Sequence, residues 1–298
     1  MAKLMKGAGL VLVVLFGLIV VAVVVLNVST TARLDKVYDI PSEPVILSSS
    51  PAAIERGKHL TAYRCVECHG MNFGGSVLLD DPLLGTLTVT NIASGIGRDG
   101  LALTDEHFAR VMRHGVDAQG RPLLVMPAHA YQYLSEQDLN DIIAYVRSLP
   151  AVKDTLPAQR FTILGRALLG AGALGDIIPA ELVDHSVPRI ATVSAGMTVD
   201  YGEYLVKTIG CSDCHGQDLT GGQVPGPVKI LGPSLSSGSE LSGWTTSDFI
   251  RALRTGITPD GRHLSPSMPW IFQGQMSDEE LTAIFMYLQS LPVETAAK

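Results

Sequence analysis

All four cysteines of this 298-residue chain fall in two short units, Cys65-Val66-Glu67-Cys68-His69 and Cys211-Ser212-Asp213-Cys214-His215. Two thiols about a helical turn apart, followed at once by an imidazole, form the spacing of c-type haem attachment. Each sulfur can add to one vinyl group of the same haem as a thioether, and the adjacent histidine is then carried beneath the iron. This arrangement suits a domain too small to retain a haem by burial alone. Cys65, Cys68, Cys211 and Cys214 are therefore read as the attachment points of two covalently bound haem c groups, with His69 and His215 as iron ligands. A single zinc site drawn from both pairs would join units a whole domain apart and leave both histidines without a role. A dithiol redox motif calls for a strand-then-helix setting that neither unit has.

The second axial position of each iron decides the function, because a haem ligated on one face keeps an open site for chemistry and a haem ligated on both is a wire. Met126-Pro127 and Met268-Pro269 stand at nearly the same distance after the two histidines, just ahead of a closing helix. A loop there can return across the haem, and a neutral thioether favours ferrous iron and raises the potential. Met126 and Met268 are thus the candidate distal ligands. Met71 stands too near its histidine to reach round, and Met112 and Met286 occupy helix positions suited to core packing. His59, His107, His114, His129, His185 and His263 are rival donors, but none recurs in both halves. Arg113 and Arg254 sit at matching places late in a middle helix and are candidates for pairing with haem propionates.

The elements that position these groups are written twice, over residues 53–150 and 200–292. Each half opens with a short amphipathic stretch, delivers its cysteine unit, and passes a Gly-Gly pair (Gly74-Gly75, Gly221-Gly222). A middle helix follows that ends in Gly115 or Gly256, as helix C-termini often do. The closing helix has capping-box spacing, Ser135 with Asp138 and Ser277 with Glu280. Its apolar residues, Leu139, Ile142, Ile143 and Val146 or Leu281, Ile284, Phe285 and Leu288, recur at helical intervals. Each helix stops at Ser-Leu-Pro, where Pro150 or Pro292 cannot continue it. No stretch alternates like a sheet, so two small all-helical domains are expected.

Ahead of the repeats, residues 7–28 form an uncharged Val- and Leu-rich run preceded by Lys3 and Lys6. As a helix it would extend roughly 33 Å, enough for a hydrocarbon core. It is expected to be an uncleaved transmembrane anchor, with residues 1–6 in the cytoplasm and everything after it exported. A cleaved signal has a shorter apolar stretch and a small-residue cleavage site, which Thr30-Thr31-Ala32 matches poorly. Residues 29–52, with three prolines and a serine triplet, read as an extended tether. The inter-domain linker 151–199 contains an apolar stretch, 161–174, too short to span a bilayer. It is expected to pack across the junction between the repeats rather than on the membrane surface. Residues 293–298 form a C-terminal tail. The formal net charge of −7 and the absence of any Lys/Arg block exclude the footprint of nucleic-acid binding.

Taken together, the chain after residue 50 resembles the two-haem, class I cytochrome c proteins related to the cytochrome subunits of bacterial membrane-bound alcohol, aldehyde and gluconate dehydrogenases. The residues that carry the likeness are Ala53-Ile54-Glu55-Arg56-Gly57-Lys58, the haem units, Arg110-Val111-Met112-Arg113-His114-Gly115, Gly120-Arg121-Pro122-Leu123 and the closing 139–150 segment. In the second half it runs from Tyr201 through Met268-Pro269-Trp270 to Pro292. The resemblance implies an all-α architecture of two tandem class I cytochrome c domains after an N-terminal transmembrane helix. Each haem would lie between His69 and Met126 or between His215 and Met268. It further implies electron transfer, without catalysis, on the outer side of the cytoplasmic membrane. The donor would be a dehydrogenase or quinol-oxidising complex and the acceptor a terminal oxidase or another carrier. Dehydrogenase subunits of this kind commonly hold three haems where this chain has two. A dihaem cytochrome c peroxidase also carries two such motifs but needs one open iron face, which a methionine in each repeat disfavours. A haem gas sensor would require an output domain, for which the two repeats and the anchor leave no residues.

Overall fold

The computed structural model describes residues 2–41, 43–93, 95, 103–153, 155–224 and 230–292. Met1 and the expected tail, 293–298, lie outside the described residues. The chain begins with a long helix, α1 (Ala2–Leu34). By length and composition its Met5–Leu34 portion is able to cross a membrane, and its most apolar window is unburied by the rest of the chain. The helix continues past Val28, so the first residues expected in the tether are helical.

The first repeat comprises α2 (Pro51–Ala62), α3 (Val66–His69), strands β1 (Ser76–Asp81) and β2 (Gly85–Val89), α4 (Asp105–His114), α5 (Ala128–Tyr131) and α6 (Glu136–Ser148). Between the repeats lie β3 (Arg160–Phe161) and α7 (Ile163–Gly170). The second repeat restates the order with α8 (Val199–Ile209), α9 (Ser212–His215), β4 (Gly222–Val224), β5 (Ile230–Gly232), α10 (Thr246–Thr255), α11 (Trp270–Gln273) and α12 (Asp278–Ser290).

Local chemistry sets the ends of these helices. Ser135 and Ser277 accept from the backbone N–H of Asp138 and Glu280, and the second of these boxes is completed by the Glu280 carboxylate. Thr104 and Thr245 cap α4 and α10 in the same way. Gly115 and Gly256 close those two helices in the left-handed conformation.

In each repeat the opening helix crosses the closing one at a glycine. A Cβ added at Gly57 would collide with the backbone carbonyl of Asp141 in α6, and one added at Gly202 with that of Ala283 in α12. Only glycine permits that approach.

The two repeats share one hydrophobic core, in which Leu60, Tyr63, Leu139 and Ile143 join Tyr204, Leu205, Leu281 and Phe285. Polar contacts cross the junction in a reciprocal pattern. His59 of α2 meets Glu280 of α12 at 2.7 Å, while at the equivalent positions the Tyr204 hydroxyl of α8 donates to Asp138 of α6 at 2.6 Å. Tyr63 donates to Glu280 as well, at 3.1 Å. Each repeat's opening helix thus seals against the other's closing helix.

Three expectations need correction. The fold is helix-rich but not all-α: β1, β2 and β3 form an antiparallel sheet, and β4 pairs with β5. These hairpins are short and their burial does not alternate, with adjacent Val77 and Leu78 exposed in β1 and adjacent Thr86 and Leu87 buried in β2, so they leave no alternating pattern to read. The tether is not free, because Ile40 is buried, Tyr38 donates its N–H to the Gly120 carbonyl, and Glu43 pairs with Arg113, His114 and Arg189. The apolar linker segment packs on α1 and the first hairpin: Asn27 of α1 donates to the Ile163 carbonyl, and Thr162 donates its N–H to that of Leu84.

Candidate haem sites

In each repeat the cysteine unit folds into a single helical turn, closed by the His69 N–H bonding to the Cys65 carbonyl (2.9 Å) and the His215 N–H to the Cys211 carbonyl (3.0 Å). Both cysteines and the histidine are thereby gathered at one turn. Gly70 (φ 75) and Gly216 (φ 84) then turn the chain through the left-handed region. The chain folds back at once, since Gly75 and Gly221 donate to the carbonyls of His69 and His215.

The hairpin supplies the partner that orients each imidazole. His69 Nδ1 lies 2.9 Å from the Thr90 carbonyl oxygen, and His215 Nδ1 lies 2.7 Å from that of Pro233. A carbonyl can only accept, so the ring proton sits on Nδ1 and the Nε2 lone pair is left for a metal. Both rings are buried, and burial pushes their pKa below the usual histidine value, only partly offset by those carbonyls. The neutral imidazole that iron requires is therefore the favoured form.

Burial pushes the Cys65 and Cys211 thiols up to about 12. They are neutral thiols at physiological pH, unlike the thiolates of zinc sites and redox dithiols.

Cys65, Cys68, His69, Met126 and Pro127 line one largely apolar cavity of about 290 Å³. Met126 follows Val125, whose positive φ of 67 is held by its N–H bonding to the Ile177 carbonyl at 2.8 Å. Pro127 (φ −78, ψ 53) and Pro269 (φ −79, ψ 45) have nearly the same conformation and start α5 and α11. Both methionines are half-buried against the shared core. The cavity also reaches the second repeat, where Asp213, Cys214, Pro269 and Gln273 border it. Cys211, His215 and Met268 are not on its wall.

The donor set fits a haem: two neutral thiols, an oriented imidazole and a thioether surround an apolar space. One further observation supports an anionic occupant. Arg64 lines the cavity and is buried over the Tyr63 ring, with Nη2 donating to Thr208 Oγ1 at 3.1 Å; its Nε and Nη1 have no hydrogen-bond partner among the described residues. A buried guanidinium with two open donors suits a carboxylate such as a haem propionate. The only signal for Arg64 in the sequence was its place beside Cys65. The arginines singled out by the repeat are engaged elsewhere, Arg113 with Glu43 and the Leu134 carbonyl, and Arg254 with Asp278. Among the rival histidines, His59 pairs with Glu280, His129 with Asp213, and His114 with His185 and Glu43. His107 borders the cavity and caps α4.

Comparison with known proteins agrees with this geometry. A family model described as cytochrome c matches residues 54–150 and 199–292. The fructose dehydrogenase cytochrome subunit of Gluconobacter japonicus is 27% identical over 85% of this chain and 56% of its own length. A dihaem c-type cytochrome of Cereibacter sphaeroides is 25% identical over 85% of this chain and 90% of its own length. The gluconate 2-dehydrogenase cytochrome c subunit of Pantoea cypripedii is 25% identical over 84% and 62%. The chain therefore spans little more than half the length of the dehydrogenase subunits.

Proposed function

The chain belongs to the cytochrome c family, and on that premise we propose that it is a membrane-anchored two-haem electron carrier. Residues 53–150 and 200–292 are the two haem domains. Cys65 and Cys68, and likewise Cys211 and Cys214, form thioethers with one haem each. His69 with Met126, and His215 with Met268, fill the axial positions. Such a haem supplies one-electron exchange between ferrous and ferric iron. The polypeptide fixes the cofactor, excludes water with an apolar wall and sets the potential through its two ligands.

The carrying observation is that one carbonyl-oriented histidine and one Met-Pro turn occur at equivalent places in both repeats. Two closed iron sites make a wire, and this favours electron transfer over the dihaem peroxidase reading. The cavity that borders both cysteine units supports passage of an electron from one site to the other within the chain.

The helix α1, with Lys6 ahead of its apolar run, supports an anchor in the cytoplasmic membrane with the haem domains on the periplasmic side. The donor in this reading is a dehydrogenase or quinol-oxidising complex and the acceptor a terminal oxidase or other carrier; the likeness to cytochrome subunits of fructose and gluconate dehydrogenases supports the dehydrogenase. Carbon monoxide tests the closed sites. The reduced full-length protein should bind none, and Met126→Ala or Met268→Ala should each open one iron; extensive binding by the unaltered protein would defeat the proposal.

A further inference from the structure

We infer that the first repeat stands on the bilayer by an apolar foot made of α7 and the tip of the β1–β2 hairpin, with lipid as the partner of that surface. The inference rests on the reading of α1 as a membrane-spanning helix and adds where the folded part meets the membrane.

Depth along α1 carries the argument. Its Val- and Leu-rich run ends at Val28, and four small uncharged residues follow before Arg33. Asn27, at the outer end of that run, donates through Nδ2 to the Ile163 carbonyl at 3.0 Å and accepts from Arg166 Nε at 3.2 Å. Thr30 donates to the Arg166 carbonyl at 2.9 Å, and a Cβ on Gly170 would touch Thr30 and the Leu26 carbonyl. The contacts of α7 thus fall within about one turn of α1, although α7 is roughly 12 Å long at 1.5 Å per residue. It crosses α1 instead of running beside it, and so lies roughly parallel to a membrane that α1 spans.

At this level exposed apolar side chains gather, with the exposed Arg160 of β3 beside them. Ile163 and Leu164 are 63% and 45% exposed, and Leu83 at the hairpin tip is 66% exposed. Thr162 joins the two parts, bonding to the carbonyls of both Leu83 and Leu84. The nearby carboxylate of Asp81 is folded back onto the N–H groups of Leu83 and Leu84, at 2.8 and 2.9 Å, leaving Pro82 and Leu83 at the tip. The guanidinium of Arg166 is tied to Asn27 and the Phe161 carbonyl.

Farther along α1, by roughly 9 Å at 1.5 Å per residue, the contact changes character: Arg33 and Glu181 form a two-pronged ion pair at 2.9 and 2.6 Å. The surface beside α1 switches from apolar to charged where an apolar slab would end. Exposed apolar side chains continuous with a spanning helix are suited to acyl chains, whereas a protein partner would have to reach them at the level of the bilayer. The foot would also hold the first cavity near the membrane, since Gln159, just ahead of α7, is on its wall.

The test uses the unaltered full-length protein, loaded with haem, in nanodiscs of phosphatidylcholine carrying a photoreactive diazirine in the acyl chain. After illumination, lipid adducts are mapped by mass spectrometry. We expect adducts on α1, on the peptide containing Leu83 and on that containing Ile163 and Leu164, and none around Leu231, an equally exposed residue of the second repeat (69%). Adducts confined to α1 would overturn the foot while leaving the anchor standing. Absence of adducts from α1 as well would overturn the spanning reading and the foot with it. As a second measurement, Ile163→Cys and Leu83→Cys should react with a water-soluble maleimide an order of magnitude more slowly in nanodiscs than Leu231→Cys; equal rates would contradict the proposal.

Discussion

The two repeats share a skeleton and differ in what surrounds it. Both cross their opening and closing helices at a glycine, both aim a buried histidine with a backbone carbonyl, and both begin the turn after methionine with proline. In the first repeat, however, the middle-helix arginine, Arg113, is 1% exposed and held by Glu43 from the segment after α1, with His114 and Arg189 beside it. Its counterpart, Arg254, pairs with Asp278 at the surface. The common features are those a haem needs. The differences belong to the first repeat's second task, joining the helix α1, the tether and the linker into one body.

The largest test of the common skeleton is Gly57→Val beside Gly202→Val. The obstacle at both sites is backbone, so the cost should exceed the roughly 1–3 kcal/mol usual for overpacking. Loss of cooperative unfolding and of normal haem absorbance is expected in both variants, to a similar degree. A well-folded variant at either site would break the equivalence.

The surroundings are tested next by Arg113→Leu against Arg254→Leu. Removing one partner of a buried pair costs on the order of 3–5 kcal/mol, whereas an exposed pair is worth about 0–1 kcal/mol. Denaturant titration of the two variants should therefore separate them, and equal losses would mean that the Glu43 cluster contributes little.

Acid sharpens the same contrast. Burial works against the charged Glu43 carboxylate, but hydrogen bonds from His114 and Arg189 and the nearby arginine charges outweigh it and bring its pKa from 4.5 down to about 2. Its folded value lies below its unfolded one, so the unfolded chain binds more protons between them. The stability this group contributes is present above about 4.5 and drains away as pH falls toward about 2. A Glu43→Gln protein, lacking that titration, should lose less stability over the interval when its denaturant midpoint is followed against pH.

The smallest effect concerns Arg64, which has no arginine counterpart in the second repeat, where Gly210 precedes Cys211. A cation beside a haem favours the added electron. Arg64→Gln should therefore lower one of two midpoint potentials by roughly tens of millivolts, on a scale where about 59 mV is a tenfold change in a one-electron equilibrium. Redox titration with both potentials unmoved would remove Arg64 from the site.

Much of the fold and the candidate site was legible because it is local. Cysteine spacing, capping serines, glycine stops and the helical recurrence of Leu139, Ile142 and Ile143 all lie within a few residues of what they specify. Features set by distant partners were not. Nothing near Gly57 announces the Asp141 carbonyl, and nothing near Glu43 announces Arg113 or Arg189. The hairpins leave no mark in the sequence because the bonds that matter, which the histidines donate to Thr90 and Pro233, end on main-chain oxygen, which no side-chain pattern encodes. The 161–174 segment was legible as apolar, but its partner α1 lies far away in sequence.

The measurement closest to the core of this account is the number of haems that remain on the full-length chain after denaturing extraction, found by intact mass and pyridine haemochrome absorbance. Two per chain are expected in the unaltered protein. One is expected when Cys65 and Cys68 are both changed to alanine, and one when Cys211 and Cys214 are. Pigment that extracts freely, or a count that stays the same in both double variants, would contradict it.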